Sequence, residues 1–225
     1  MRIERAAARL LSDLRSLWGT HRRAARGAAV QDPPDAGLVR RTRALAPFLT
    51  ALASRPAPVL IDLGPVVQSN LTFFAERFEG RVRVEDLNAV VDQHVREGTL
   101  QHLPAFLSRC FTEPAGSVDG ILCWDIFDYL DHDAALALAG ELTRLLRIDG
   151  ALLGFFTGRP PRDRRYTRFS IVDTGRLRYR PYVGACAGRR VRLDGEIHRL
   201  FGALHVSATY LLQSGTREML FRKPR

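Results

Sequence analysis

The stretch VLIDLGPVVQSN, residues 59–70, decides how the chain is read. An apolar run, Val59 to Ile61, ends in Asp62, Leu63 and Gly64. A strand that stops on an acid and a glycine and then turns into a helix is the opening of a doubly wound α/β unit. There, backbone N–H groups line the carboxyl edge of the sheet and ligands bind at the switch point. Gly64 lets a ligand approach the backbone with no Cβ in the way. The second and third glycines of a phosphate-binding turn are absent; Pro65, Val66, Val67 and Gln68 stand in their place. Pro65 fixes φ, and Asn70 is expected to cap the following helix.

Outward from this turn, short apolar runs alternate with helical ones, which predicts βαβ units and a mainly parallel sheet. RVRVEDL (81–87) reads as the second strand of that sheet, SVDGILCW (117–124) as the strand called fourth, and GALLGFF (150–156) as the fifth. A third strand is weak or missing between Asn88 and Pro114. A helix capped by Asp131 runs to Arg147, and DGEIHRLFG (194–202) reads as a short helix. LHVSATYLL, QSGT and REMLFRK close the chain as an antiparallel hairpin turned by Ser214 and Gly215. Upstream, residues 1–55 are expected to hold two helices that form a lid or pack across the sheet edge. The first runs over 2–18, and the second follows a cap at Asp35 and buries Leu38, Leu45, Phe48, Leu49 and Leu52. Residues 56–225 form the main domain.

The chain has 225 residues and a net charge of +10. Residues 1–48 carry +6 and residues 159–192 carry +9, so the remaining core sums to −5. The segment 159–192 is therefore a basic insert, with Tyr166, Phe169, Tyr179 and Tyr182 set among its arginines. It reads either as a solvated flap or as a surface for a polyanion, since arginine forks bind phosphate and carboxylate. Its run RLRYRPYV (176–183) also suits a strand that extends the sheet or meets a second copy, making a homodimer one expectation. The Arg/Ala-rich first 26 residues resemble a mitochondrial presequence, but Glu4 and Asp13 argue for an ordinary helix. No apolar run reaches membrane-spanning length. Cys110, Cys123 and Cys186 form no CxxC pair, which points to a reducing, cytoplasmic setting and no structural metal.

Asp86, 22 residues after Gly64 at the end of the second strand, is placed to accept the hydroxyls of a ribose, with Glu85 as second choice. Trp124 and Asp125 follow the buried fourth strand, with Asp128, Tyr129 and Asp131 just beyond. His132, His198 and His205 read as structural or exposed.

In order and spacing, LIDLGPVVQSN, VRVEDLN, SVDGILCWDIFDYLD and LLRIDGALLGFF resemble the motifs of class I S-adenosylmethionine-dependent methyltransferases, with their Rossmann-like fold. The closing antiparallel hairpin is also similar to theirs. The resemblance covers about 100 residues closely. It implies S-adenosylmethionine as cofactor, with Asp62, Gly64, Pro65, Gln68 and Asn70 around the methionine part, Asp86 on the ribose and Trp124 lining the pocket. It implies Asp125 and Tyr129 on the catalytic side. The acceptor is expected to be a small molecule before a nucleic acid. The departure at Gln68, where relatives carry glycine, keeps a second reading open: a non-catalytic, methyltransferase-like protein whose basic surfaces bind a protein partner or RNA. A different nucleotide-dependent enzyme is the third.

Overall fold

The computed structural model describes residues 37–159, 165–182, 184 and 188–225. The helix expected over 2–18, the cap at Asp35, Cys186 and part of the basic insert lie outside them.

Six strands form the main sheet: β2 (Val59–Asp62), β3 (Arg81–Val84), β4 (Val118–Trp124), β5 (Leu146–Thr157), β8 (His205–Leu211) and β9 (Thr216–Arg222). Their order is β3-β2-β4-β5-β9-β8. β3, β2, β4 and β5 run parallel, and β9 and β8 are antiparallel to their neighbours. The fold is thus a Rossmann-like α/β sandwich with an antiparallel C-terminal hairpin. No strand forms between β3 and β4; helices α3 (Leu87–Glu97) and α4 (Leu103–Leu107) occupy that stretch.

The strands alternate their apolar side chains between two covered faces, because successive residues point to opposite sides. On one face, Leu60, Leu122, Leu153 and Leu220 pack against Leu45, Phe48, Leu49 and Leu52 of α1 (Leu45–Ala53). Gly120 lets α1 approach: a Cβ there would lie 2.5 Å from a Leu52 methyl. The opposite set, Ile61, Ile121, Cys123 and Leu152, is equally buried, as is the inner side of α5 (His132–Leu145), with Leu138 and Leu142. The Asp131 side chain caps α5 through the Ala134 N–H at 2.8 Å.

Upstream of α1 the expectation fails. Leu38 is not on a helix; it is an exposed residue of strand β1 (Leu38–Arg41). β1 pairs with β7 (Arg176–Tyr182), which pairs with β6 (Tyr166–Asp173), so the basic insert forms a second, antiparallel sheet, β1-β7-β6. Its inner residues Phe169, Ile171 and Leu177 join the same core as α1.

Candidate functional site

The strand order reverses between β2 and β4, so the switch point lies where Asp62 and Trp124 end neighbouring strands. Helix α2 (Gln68–Ala75) follows the turn that starts at Gly64. Asp62 Oδ1 accepts the Gly64 N–H at 2.9 Å and the Trp124 indole N–H at 2.5 Å. Trp124 holds a left-handed backbone, φ 48°, a strained conformation of the kind that gathers at functional sites. A Cβ on Gly64 would lie 2.8 Å from the indole, so the open face of this glycine belongs to Trp124. Phe169 of β6 lies parallel on the indole at 5.1 Å, and Phe155 meets it edge-on at 5.7 Å. The cleft over the turn is thereby filled by the chain's own rings. Burial pushes the Asp62 carboxyl up to about 6, against the pull of the Gly64 and Trp124 bonds; the nearby Asp86 charge adds to the rise.

Asn70 does not cap α2. The N-cap is Val67, without a side-chain bond, and Asn70 is buried in the first turn. Its amide carries both donors and an acceptor, and the free edge of β6 uses one of each. The Asn70 Nδ2 donates to the Phe169 carbonyl at 2.9 Å, and Oδ1 accepts the Ile171 N–H at 2.7 Å. Asn70 therefore anchors the insert over the cleft. Asp86 does cap a helix: its carboxylate accepts the Ala89 N–H at the start of α3, at 3.0 Å. Burial raises its pKa, partly offset by the Ala89 bond and the Arg168 charge on β6. Glu85 instead pairs with Arg83. Pro65 is buried, whereas Gln68 is exposed and lines a surface depression with Leu71, Thr72, Ala75 and Glu76. Gln68 is thus not brought together with Asp62, because the helix starts on it and turns its side chain outward.

Past β4, a 3₁₀ turn, Ile126–Tyr129, gathers a second constellation. Asp125 and Asp128 are buried, and one guanidinium N–H group of Arg189 reaches both, at 2.9 Å each. Tyr129 lies with its hydroxyl 3.2 Å from Asp125 Oδ2 and 3.3 Å from the Arg165 carbonyl. Asp128 also accepts the Thr157 N–H at 3.1 Å, tying the turn to the end of β5. Burial pushes Asp128 up to about 7 even with Arg189 pulling it down, and burial raises Asp125 in the same way. Arg192, 2% exposed, donates to the carbonyls of Phe127 and Leu130 at 2.9 and 2.6 Å and so braces the same turn. Arg189 and Arg192 hold this turn together, and the sequence does not single them out. The signal was present: two acids three apart past a buried strand require a cation.

Between this turn, the end of β5 and the small sheet lies a cavity of about 480 Å³. Asp125 and Arg189 form part of its wall; Phe169, the ring that stacks on Trp124, forms another part.

Elsewhere, His132, His198 and His205 are exposed. No cluster of His, Cys, Asp and Glu among the described residues could hold a metal ion. No described helix is long and apolar enough to cross a membrane. Cys110 and Cys123 are buried, and burial raises both thiols.

No family model matches the chain, and no curated protein does. Solved structures align with it. The 1,6-didemethyltoxoflavin-N1-methyltransferase of Burkholderia thailandensis, with bound 1,6-didemethyltoxoflavin and S-adenosylhomocysteine, is 20% identical over 99% of this chain and 90% of its own, at a TM-score of 0.48. The [4+2]-cyclase SpnF is 11% identical over 80% of each chain, at 0.49. The glycopeptide N-methyltransferase MtfA, in complex with S-adenosyl-L-methionine, is 11% identical over 80% of this chain and 93% of its own, at 0.48.

Proposed function

We propose that the chain is a class I S-adenosylmethionine-dependent methyltransferase acting on a small-molecule acceptor. The observation that carries this reading is the switch point between β2 and β4. It presents Asp62 and the Gly64 turn on one strand and Asp86 at the tip of the neighbouring β3, above a parallel sheet closed by an antiparallel hairpin. Asp86 would take the ribose, and Asp62 with the Gly64 turn the methionine part. When bound, the cofactor supplies an electrophilic methyl group on a sulfonium, and the protein's share is to hold the acceptor in line. Asp125, in the wall of the cavity beside Phe169, and Tyr129, bonded to it, would take the catalytic side.

The groups suit the cofactor; the space is taken. Trp124 and Phe169 lie over the turn, so binding requires both rings to withdraw and the β6 edge to loosen from Asn70. This same observation supports a second reading, a non-catalytic methyltransferase-like protein whose cleft is permanently filled and whose basic insert binds a partner. The burial of Arg192 favours the enzyme, because this arginine of the insert braces the 3₁₀ turn rather than facing a polyanion.

Calorimetric titration with S-adenosylmethionine and S-adenosylhomocysteine tests the choice. The enzyme reading expects saturable heat from both and a loss of about 1–3 kcal/mol on Asp86→Ala, the cost of ribose hydroxyls left unpaired. Absence of heat at millimolar ligand from folded protein would decide for the filled cleft.

A further inference from the structure

The cavity beside Asp125 is built differently from the cleft at Asp62, and its walls specify a ligand of their own. Three arginines line it, Arg40, Arg159 and Arg189, against one carboxylate, Asp125, whose Oδ2 Arg189 holds and whose Oδ1 is buried without a donor among the described residues. Two of the lining residues carry a buried donor with no acceptor among the described residues: the Tyr179 hydroxyl and the Arg189 Nε. Burial keeps the Tyr179 phenol protonated, so it offers a proton rather than a charge. Buried donors without acceptors are costly, and ligand oxygens are the groups that relieve them. The rest of the wall is aromatic. Phe155 and Phe169 meet edge-to-face at 5.4 Å, and Phe169 and Tyr179 at 4.9 Å, and all three line the cavity, with the Arg40 guanidinium over the Tyr179 ring. A cavity of about 480 Å³ is of the size that holds a small molecule.

We infer that this cavity binds a small aromatic carboxylate: the ring lies against Phe155, Phe169 and Tyr179, and the carboxylate oxygens accept from Tyr179 and the arginines. As a binding site it stands on these walls alone. As the seat of the methyl acceptor it rests on the reading proposed above.

The experiment uses the full chain without S-adenosylmethionine, so its failure leaves the cofactor reading untouched, and failure of that reading leaves the cavity standing. Benzoate is the probe, and benzamide and acetate are its controls, followed by saturation-transfer NMR and by competition. Benzoate is expected to bind saturably and about tenfold more tightly than either control. Arg159→Gln removes a charge and Tyr179→Phe a hydroxyl while the ring keeps its place against the core, and each is expected to weaken benzoate at least about threefold. Equal binding of benzamide would overturn the carboxylate. Displacement of benzoate by equal acetate would overturn the aromatic body. Wild-type affinity in both variants would remove the site from this cavity.

Discussion

Phe169 divides two regions of opposite character. On one side lies the cleft over Gly64, where the indole N–H of Trp124 meets Asp62, the ring stacks on Phe169, and Asn70 satisfies the β6 edge. On the other lies the cavity beside Asp125, where Tyr179 and Arg189 keep donors without acceptors. The first region is closed because its polar groups answer one another. The second is open because they do not. The side that the sequence marks for the cofactor is thus the self-satisfied one, and the side that it marks for catalysis through Asp125 has unspent hydrogen-bonding capacity. A turn motif says where a backbone can receive a ligand; it does not say which of the chain's own side chains competes for the place.

The contrast can be broken most forcefully at Arg189. Arg189→Met leaves Asp125 and Asp128 buried without their cation, and an expected loss of about 3–5 kcal/mol should appear in urea unfolding. Adding Asp125→Asn and Asp128→Asn to that variant should restore most of it. A single variant as stable as the parent would deny that the pair depends on Arg189. On the cleft side, Phe169→Ala removes the ring stacked on Trp124. Stability should fall by about 3 kcal/mol while S-adenosylhomocysteine binds more tightly, an opposition that only a ring acting as a plug produces.

Asp62 sharpens the comparison through pH. Its folded pKa, about 6, lies above the ordinary carboxylate value, so the folded state holds the proton more firmly. Its contribution to stability is therefore greatest at acid pH and declines as pH rises from about 4 to about 6. Asp62→Asn, which keeps an acceptor for Gly64 and Trp124, should flatten that decline. At pH 8 it should be more stable than the parent by about 1–3 kcal/mol in denaturant titrations. Asp128, pushed up to about 7, contributes to the slope that remains, as do the raised carboxyls of Asp86 and Asp125. The smallest effect is expected at Gln68. Since its side chain faces solvent, Gln68→Ala should shift stability by less than about 0.5 kcal/mol and leave S-adenosylhomocysteine binding unchanged.

What was legible in the sequence was local. The apolar runs at 59–61 and 118–124, the cap at Asp131, the missing strand before Pro114 and the turn at Ser214 and Gly215 each announce themselves within a few residues. Leu38 misled because an exposed four-residue strand carries no alternation that distinguishes it from the approach to a helix. At the site single residues were legible and their partners were not. Asp62 and Gly64 could be found, but the partner that fills them, Trp124, lies 62 residues away in sequence, and Arg189 lies 64 from Asp125. Glu218, buried in β9, receives the N–H groups of Arg43 and Ala44 across 175 and 174 residues. No periodicity encodes such pairings; they follow from which strands the topology brings side by side.

Tryptophan emission gives the most direct test of the central claim, that an adenosyl ligand and the Trp124–Phe169 stack compete for one place. The chain has two tryptophans, so Trp18→Phe leaves Trp124 as sole reporter. The account expects a blue-shifted emission in the free protein that moves to longer wavelength, saturably, as S-adenosylhomocysteine is added. Binding of S-adenosylhomocysteine seen by calorimetry with no change in Trp124 emission would contradict it.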